Sequence, residues 1–203
     1  MTKLIIIFFM IAISTTYSQI IQNYGIKVGA TLSRQEWGAI MPGGAPKQDR
    51  LGMNIGAFAE FFNSPIFSLI TEINYVQKGF KSTYLQIDED YEGSDSWNLR
   101  IDYLNISLLA KAKIDVGDVR LYLFAGPRID FELNKSSSIS NNVYYDFEKS
   151  LVGLKFGIGS EFEISPIHLL AELVYDHNFG DLDKRSNVEV KANSIDFRIG
   201  VAL

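Results

Sequence analysis

The 203 residues carry 19 Lys and Arg against 24 Asp and Glu, a formal net charge of −5, so no basic patch indicates nucleic-acid binding. The chain has no cysteine, which excludes a disulfide framework and a lipid-modified N-terminal cysteine. Its length suits a single domain. After the first 18 residues, no segment approaches the roughly 18 consecutive apolar residues of a membrane-spanning helix.

The N-terminal residues have the pattern of a secretory signal peptide. Lys3 forms a short basic region, residues 4–13 form an unbroken apolar run, and Thr16-Tyr17-Ser18 places small residues at the −3 and −1 positions. The apolar run is too short to span a bilayer as a helix. We predict that residues 1–18 are a cleaved signal peptide and that 19–203 form a β-barrel domain; the alternative is an N-terminal membrane anchor.

Eight later segments alternate between apolar and polar side chains with a period of two, which indicates strands whose two faces meet different environments. The predicted strands are 24–33, 52–62, 67–80, 99–114, 119–133, 151–164, 167–176 and 195–203. In the third strand, Leu69 and Ile73 share one face, whereas Glu72 and Lys78 share the other. Pro127 predicts a bulge in the fifth strand, because proline cannot donate a ladder hydrogen bond.

The connections alternate between long and short. The predicted long loops are 34–51, 81–98, 134–149 and 180–191, and the short turns are 63–65, 115–118 and 165–166. This alternation is typical of a bacterial outer-membrane barrel, whose short turns face the periplasm and whose long loops face outside. The predicted fold is therefore all-β, an eight-stranded antiparallel up-and-down transmembrane β-barrel. The last strand, with apolar residues at alternate positions to Leu203, has the form of a barrel-assembly signal without the usual terminal aromatic residue.

The polar face of the strands has the composition of a crowded, closed lumen. Its glycines are Gly25, Gly29, Gly56, Gly126, Gly153, Gly157, Gly159 and Gly200. Its cations are Lys27, Lys78, Lys111, Lys113, Arg120, Arg128, Lys155 and Arg198, and its acids are Glu60, Glu72, Asp130, Glu132, Glu161, Glu163, Glu172, Asp176 and Asp196. Missing side chains suit a narrow barrel, and nearly balanced charges suit a buried interior.

The apolar face suits contact with lipid. Its central positions carry no Lys or Arg, each of which would cost about 2–4 kcal/mol at the bilayer midplane. Gln77 and Asp102 fall near the outer rim. Aromatic residues at the strand ends, expected to form two interfacial girdles, are Tyr24, Phe61, Phe67, Tyr75, Phe131, Phe162 and Tyr175. The opposite assignment of faces would describe a soluble exported calycin-like barrel that binds an apolar ligand, and this is the first alternative.

No catalytic, cofactor or metal residue is predicted with this fold. His168 is expected to be a polar lumen residue, and His177 lies at the outer rim without a paired serine motif; an outer-membrane lipid-modifying enzyme is the second alternative. Residues 88–93 place oxygen-bearing side chains at positions 1, 3 and 5 and glycine at 6 of a calcium loop, but position 12 is Leu99 rather than Glu. A solvated loop is the default interpretation, and calcium binding by 88–95 stays open. Side chains would fill an eight-stranded lumen, so a general porin is not expected.

Five stretches resemble one family. They are YGIKVGATLS at 24–33, INYVQKGFK at 73–81, YLNISLLAK at 103–111, LYLFAGPRIDF at 121–131 and FRIGVAL at 197–203. They resemble the PorT-type outer membrane β-barrel proteins of Bacteroidetes over nearly the whole chain after the leader. The resemblance implies an OmpX-like eight-stranded barrel in the outer membrane; a few members assist protein secretion. The expected partners are outer-membrane lipid and an unidentified extracellular or secretion-machinery protein, and the expected role is non-enzymatic: surface contact or adhesion through the loops, or assistance to secretion.

Overall fold

The structure, a computed structural model, describes residues 21–37, 47–62, 64–88, 91–138, 148–180 and 190–203. The predicted signal peptide lies outside these residues, so it stays a prediction. No described segment forms a helix long and apolar enough to cross a membrane.

Eight strands account for nearly all the described residues. They are β1 (Ile21–Trp37), β2 (Lys47–Phe61), β3 (Phe67–Asp88), β4 (Tyr91–Val116), β5 (Val119–Ser137), β6 (Ser150–Ile164), β7 (Ile167–Asn178) and β8 (Val190–Ala202). Each strand pairs with its sequence neighbours, and the antiparallel pairing of β1 with β8 closes the barrel. The predicted eight-stranded antiparallel up-and-down barrel is thus confirmed.

The two faces of the barrel wall follow the predicted alternation. On the lumen side, Lys27, Glu72 and Arg198 are almost completely buried. On the outward side, Ile158 is 62% exposed and Phe197 is 60% exposed. A soluble barrel with an apolar lumen has the reverse arrangement, so the structure disagrees with the calycin-like alternative. The seven aromatic residues expected at the girdles all lie on the outward face.

The two ends of the barrel differ in the length of their connections. At the turn end, β2–β3, β4–β5 and β6–β7 are joined by the short turns that the sequence predicts. At the loop end, the strands continue well beyond the predicted limits: β1 reaches Trp37, β2 starts at Lys47, and β3 and β4 pair as far as Asp88 with Tyr91. The predicted loops 34–51, 81–98 and 134–149 were therefore too long. Ladder hydrogen bonds join backbone groups, so strand pairing can continue past the lipid-facing alternation from which the strands were predicted.

The predicted bulge at Pro127 is wrong. Pro127 pairs with Leu154 in an unbroken β5–β6 ladder, and the β4–β5 register is the same on both sides of it. The register shift in β5 lies further along, where Asp102 pairs with Asn134 and Tyr103 pairs with Glu132. The missing N–H of Pro127 therefore weakens the pairing with β4 locally without inserting a residue.

The charged lumen as candidate functional site

The middle of the lumen holds two carboxylates that share their cations. Lys27 Nζ donates to Glu72 Oε1 and to Glu172 Oε1, at 2.7 Å in each case. Arg198 spans the same two residues, with Nη1 2.9 Å from Glu72 Oε2 and Nη2 2.6 Å from Glu172 Oε2. Lys155 Nζ adds a third cation, 3.1 Å from Glu72 Oε2. These charged contacts connect β1, β3, β6, β7 and β8 across the interior.

A second layer lies nearer the loop end. Lys78 Nζ donates to Asp130 and to Asp176 at 3.0 Å each. Arg128 contacts the same two carboxylates, and its Nε lies 3.4 Å from Asp176 Oδ1. Asp196, also buried, adds a third carboxylate. This layer therefore has two cations against three carboxylates, whereas the middle layer has three cations against two.

The third layer lies at the turn end. Lys111 Nζ donates to Glu60 at 3.0 Å and to Glu161 at 3.2 Å. Lys113 Nζ donates to Glu60 at 3.2 Å, and Arg120 Nη1 donates to Glu161 at 3.2 Å. The eight lumen cations predicted from the sequence all occur in these layers. The middle and loop-end layers together hold five cations and five carboxylates, whereas the turn-end layer has three cations against the two carboxylates Glu60 and Glu161.

Two of the nine predicted lumen acids are not enclosed. Glu163 is exposed at the turn end, because the barrel wall stops at Ile164. Glu132 is only partly buried and pairs with Lys135, at 3.2 Å, near the loop end. Both residues have the inward register, but they lie at strand ends where the lumen opens.

Aromatic rings fill the space left by the glycines. A Cβ on Gly159 would lie 2.5 Å from the Tyr122 ring, and one on Gly157 would lie 2.5 Å from Phe124. Tyr122 Oη also donates to Glu172 at 2.9 Å. Lys27 Nζ lies 4.4 Å from the centre of the Phe58 ring, a cation–π contact. The predicted relation between inward glycines and a crowded lumen is confirmed, and large side chains occupy the lumen at this level.

The ends of the lumen are chemically different. Towards the loop end, the inward positions of β3 and β4 include four apolar residues that are at most 1% exposed and that the sequence did not predict: Val76, Phe80, Leu99 and Ile101. At the turn end, a polar cavity of about 490 Å³ opens beside Arg120 and its neighbours. The charged layers therefore meet buried apolar side chains of β3 and β4 towards the loop end and a polar cavity at the turn end.

Each histidine lies where the sequence places it. His168 faces the lumen at the turn end, with Nδ1 3.1 Å from Glu161 Oε1. His177 lies on the outward face, where its ring stacks on Tyr175 at 6.4 Å and meets the edge of Phe179 at 6.0 Å. The described contacts of His177 are thus aromatic, which suits an interfacial residue.

The acidic segment 88–93 is not an open loop. Asp88 pairs with Tyr91, and Ile87 pairs with Glu92, so this part of the chain is the tip of the β3–β4 hairpin. Residues 89 and 90 lie outside the described residues. Within the part of the chain that the structure describes, no three His, Cys, Asp or Glu side chains are grouped to hold a metal ion.

Two ion pairs at the two ends of the barrel each lower the pKa of a carboxyl group. Arg120 Nε donates to Asp115 Oδ1 at 2.7 Å, and this hydrogen bond lowers the pKa of the Asp115 carboxyl. At the loop end, Arg34 Nε donates to Asp49 Oδ1 at 2.8 Å and lowers the pKa of Asp49 in the same way.

Arg50 and Arg100 were missed by the sequence analysis. Arg50 lies in the predicted loop 34–51 and Arg100 lies in the predicted strand 99–114, and both belong to a polar group at the loop end of β2, β3 and β4. The β2–β3 register shifts by one residue between Asp49 and Asn54. This bulge has no marker in the sequence, so the direction of the Arg50 side chain was not predictable.

A family model described as an outer membrane protein beta-barrel domain matches residues 12–184. The chain belongs to this family. Its members are outer-membrane β-barrels, in agreement with the polar lumen and the apolar outward face. A comparison with curated protein sequences found no match.

Solved outer-membrane barrels share the fold. OprG from Pseudomonas aeruginosa superposes with a TM-score of 0.56 at 12% identity, covering 91% of this chain and 96% of that one. Neisserial surface protein A superposes with a TM-score of 0.52 at 14% identity, covering 90% of this chain and 98% of that one. At these identities the likeness concerns the fold alone.

Proposed function

We propose that this outer-membrane β-barrel is a non-enzymatic surface protein that makes contacts outside the cell through its loop end. In this proposal the short turns lie in the periplasm and the leader 1–18 is removed on export. The observation that supports this proposal is the length of the β3–β4 hairpin, which extends beyond its neighbouring strands. β2 pairs with β3 only as far as Ser82, and β5 pairs with β4 only as far as Leu99, but β3 and β4 continue to pair up to Asp88 and Tyr91.

The segment beyond Ser82 and Leu99 is a two-stranded ribbon that rises above the barrel wall. In the described ladders, β3 has no second neighbour beyond Ser82 and β4 has none beyond Asn98, whose backbone O accepts from Ser138 N at 3.2 Å, so among the described residues both edges of the ribbon present backbone donors and acceptors. Each pair of residues advances a strand by about 3.3 Å, so six pairs project roughly 20 Å. An exposed edge of this kind supports binding by strand addition.

The ribbon is acidic. Residues 83–98 contain Asp88, Glu89, Asp90, Glu92 and Asp95 and no Lys or Arg. A basic protein surface is the complementary partner, because opposite charge steers and orients association. The resemblance to PorT-type proteins supports a related role at the same end, in which the ribbon contacts secretion machinery rather than a foreign surface.

Fractionation and surface proteolysis of whole cells test the location. We expect the protein in the outer-membrane fraction, with heat-modifiable migration on a gel and protease cleavage confined to the loop-end segments. Recovery as a soluble periplasmic protein would contradict the proposal.

A ribbon variant tests the contact role. Replacing the five acids by Asn or Gln keeps the ribbon length and removes its charge. We expect cells displaying this variant to bind a lysine-rich polypeptide surface much more weakly than wild type. Glu163→Gln, at the opposite end, is the matched control and should bind as wild type. Equal binding by all three would refute the contact role. Lipid hydrolysis lost in His177→Ala would instead establish the enzyme alternative.

A further inference from the structure

A groove crosses the outward face of the barrel from β4 to β8. Its volume is about 510 Å³, within the range of small-molecule pockets. Large apolar side chains form its walls, among them Leu121 on β5, Ile158 on β6, Leu173 on β7 and Phe197 on β8. Leu121 is 44% exposed and Ile158 is 62% exposed, so the groove opens outward and not into the lumen.

Two small side chains interrupt these large ones. Ser160 on β6 pairs with Ala171 on β7, and both line the groove. We call this pair the notch. The outward positions that border it in the described ladders all carry large apolar side chains: Ile158, Leu173, Phe162, Leu169, Leu121 and Ile199. The notch is therefore a depression with protruding side chains on every side.

The notch also carries a hydroxyl group. Among the described residues that line the groove from the outward face, Ser160 is the one polar residue. Hydrocarbon offers a hydroxyl group no hydrogen-bond partner, and leaving it unsatisfied there is costly. The hydroxyl group therefore favours an apolar occupant that brings a hydrogen-bond acceptor with it.

The depth of the notch indicates which acceptor is at hand. Phe162, a girdle residue predicted from the sequence, lies two residues nearer the turn end of β6 than Ser160. Two residues of a tilted strand cover about 5 Å along the barrel axis. Ser160 is thus just inside the hydrocarbon, where ester groups join the headgroup of a phospholipid to its acyl chains. An ester carbonyl oxygen accepts a hydrogen bond from a serine hydroxyl group.

The shape of the groove favours a single lipid over a second barrel. The outward face of barrels in this family meets lipid, so acyl chains are the molecules next to the groove. The side chains around the notch hold a flat barrel wall away from Ser160 and Ala171. One acyl chain is narrow enough to lie between them.

We propose that this groove is a binding site for a phospholipid of the leaflet at the turn end. One acyl chain lies in the groove over Ala171, and Ser160 Oγ–H donates to the ester carbonyl oxygen of that chain. The proposal rests on the barrel spanning a membrane, and it is independent of any contact made by the β3–β4 ribbon.

Lipid retention measured by native mass spectrometry tests the role of the hydroxyl group. The refolded full-length protein is mixed in detergent with a diester phosphatidylglycerol or with a diether phosphatidylglycerol of the same chain length, which lacks the carbonyl groups. We expect wild type to retain the diester lipid about fivefold more strongly, the size of one hydrogen bond. Ser160→Ala should remove this preference.

A second variant tests the groove itself. Ala171→Leu fills the notch, so retention of both lipids should fall about tenfold, the effect of exposing roughly two methylene groups. Ala57→Leu is the matched control. Ala57 is also exposed on the outward face, and it lies four residues from the turn end of β2, as Ala171 does on β7. β2 is not among the strands that line the groove.

The outcomes separate the possible occupants. Equal retention of the two lipids by wild type would overturn the proposal, as would a fall in retention that is as large in Ala57→Leu as in Ala171→Leu, because both would reflect general lipid contact. A wild-type dimer that Ala171→Leu abolishes would place a second copy in the groove and also overturn it. Heat-modifiable migration of each variant confirms that the barrel is folded.

Discussion

Arg198 on β8 and Glu72 on β3 form a two-pronged ion pair across the lumen, with nitrogen–oxygen distances of 2.9 and 3.1 Å. Strands β1 and β2 separate them around the wall. Both side chains are at most 1% exposed, so the pair bridges opposite sides of the barrel in a space closed to solvent.

We expect Glu72→Gln to destabilise the barrel by about 3–5 kcal/mol, because it leaves Lys27, Lys155 and Arg198 with one buried carboxylate between them. Urea unfolding of the protein refolded into lipid vesicles measures the change. Glu163→Gln removes the same charge at an exposed position and should shift the midpoint little. Equal midpoints for wild type and Glu72→Gln would show that the middle layer does not stabilise the fold.

We expect Gly159→Ala to cost about 1–3 kcal/mol, because the new methyl group meets the Tyr122 ring at 2.5 Å. A double-mutant cycle with Tyr122→Leu isolates this contact: the cost of Gly159→Ala should become smaller in the Leu background. Gly180→Ala is the control, because no atom lies within 4 Å of its added Cβ. An undiminished cost in the Leu background would show that the ring is not the obstacle.

We expect an arginine on the outward face to be penalised according to its depth. Ile158 lies midway along β6, so Ile158→Arg should cost about 2–4 kcal/mol in vesicles. Ile66→Arg, in the β2–β3 turn and equally accessible, should cost far less. Unfolding titrations of the two variants provide the comparison, and equal costs would argue against a bilayer around the barrel.

The Asp115–Arg120 pair gives a test in pH. Arg120 lowers the pKa of Asp115 below its ordinary value of 3.8, so the pair stabilises the folded state fully above that value. The stabilisation is lost as the pH falls through the lower folded-state pKa. We therefore expect Asp115→Asn to weaken the barrel at neutral pH and to lose this difference from wild type in strong acid. Urea midpoints at several pH values measure it; a difference that grows on acidification would contradict the assignment.

The sequence is informative wherever the two faces of a strand meet different media. Lys27, Glu72 and Arg198 were predicted as inward residues, and Ile73 and Phe197 as outward ones, because lipid and a closed lumen impose opposite chemistry on alternate positions. The strand count and the short turns followed from the same contrast.

The sequence is less informative where that contrast disappears. The ladder from Ser82 to Asp88 was assigned to the loop 81–98, although Leu85 and Ile87 alternate there with Gln86 and Asp88. The bulge near Arg50 depends on the fit between neighbouring strands, which a single strand's pattern does not contain. Three cations bind the Glu72 carboxylate, and this arrangement depends on which residues of non-adjacent strands lie at the same height in the lumen. The pattern of a single strand does not contain that information.

The shared carboxylates of the lumen also constrain the order of assembly. Glu72 takes its cations from β1, β6 and β8, which come from both ends of the chain. A partly assembled sheet entering lipid with β8 unpaired would expose Arg198 and Lys27 without their counter-charges. Bilayer insertion and the pairing of β1 with β8 are therefore thermodynamically coupled. Neither half of the sequence is stable in lipid without the other half, because its lumen charges would lack their partners.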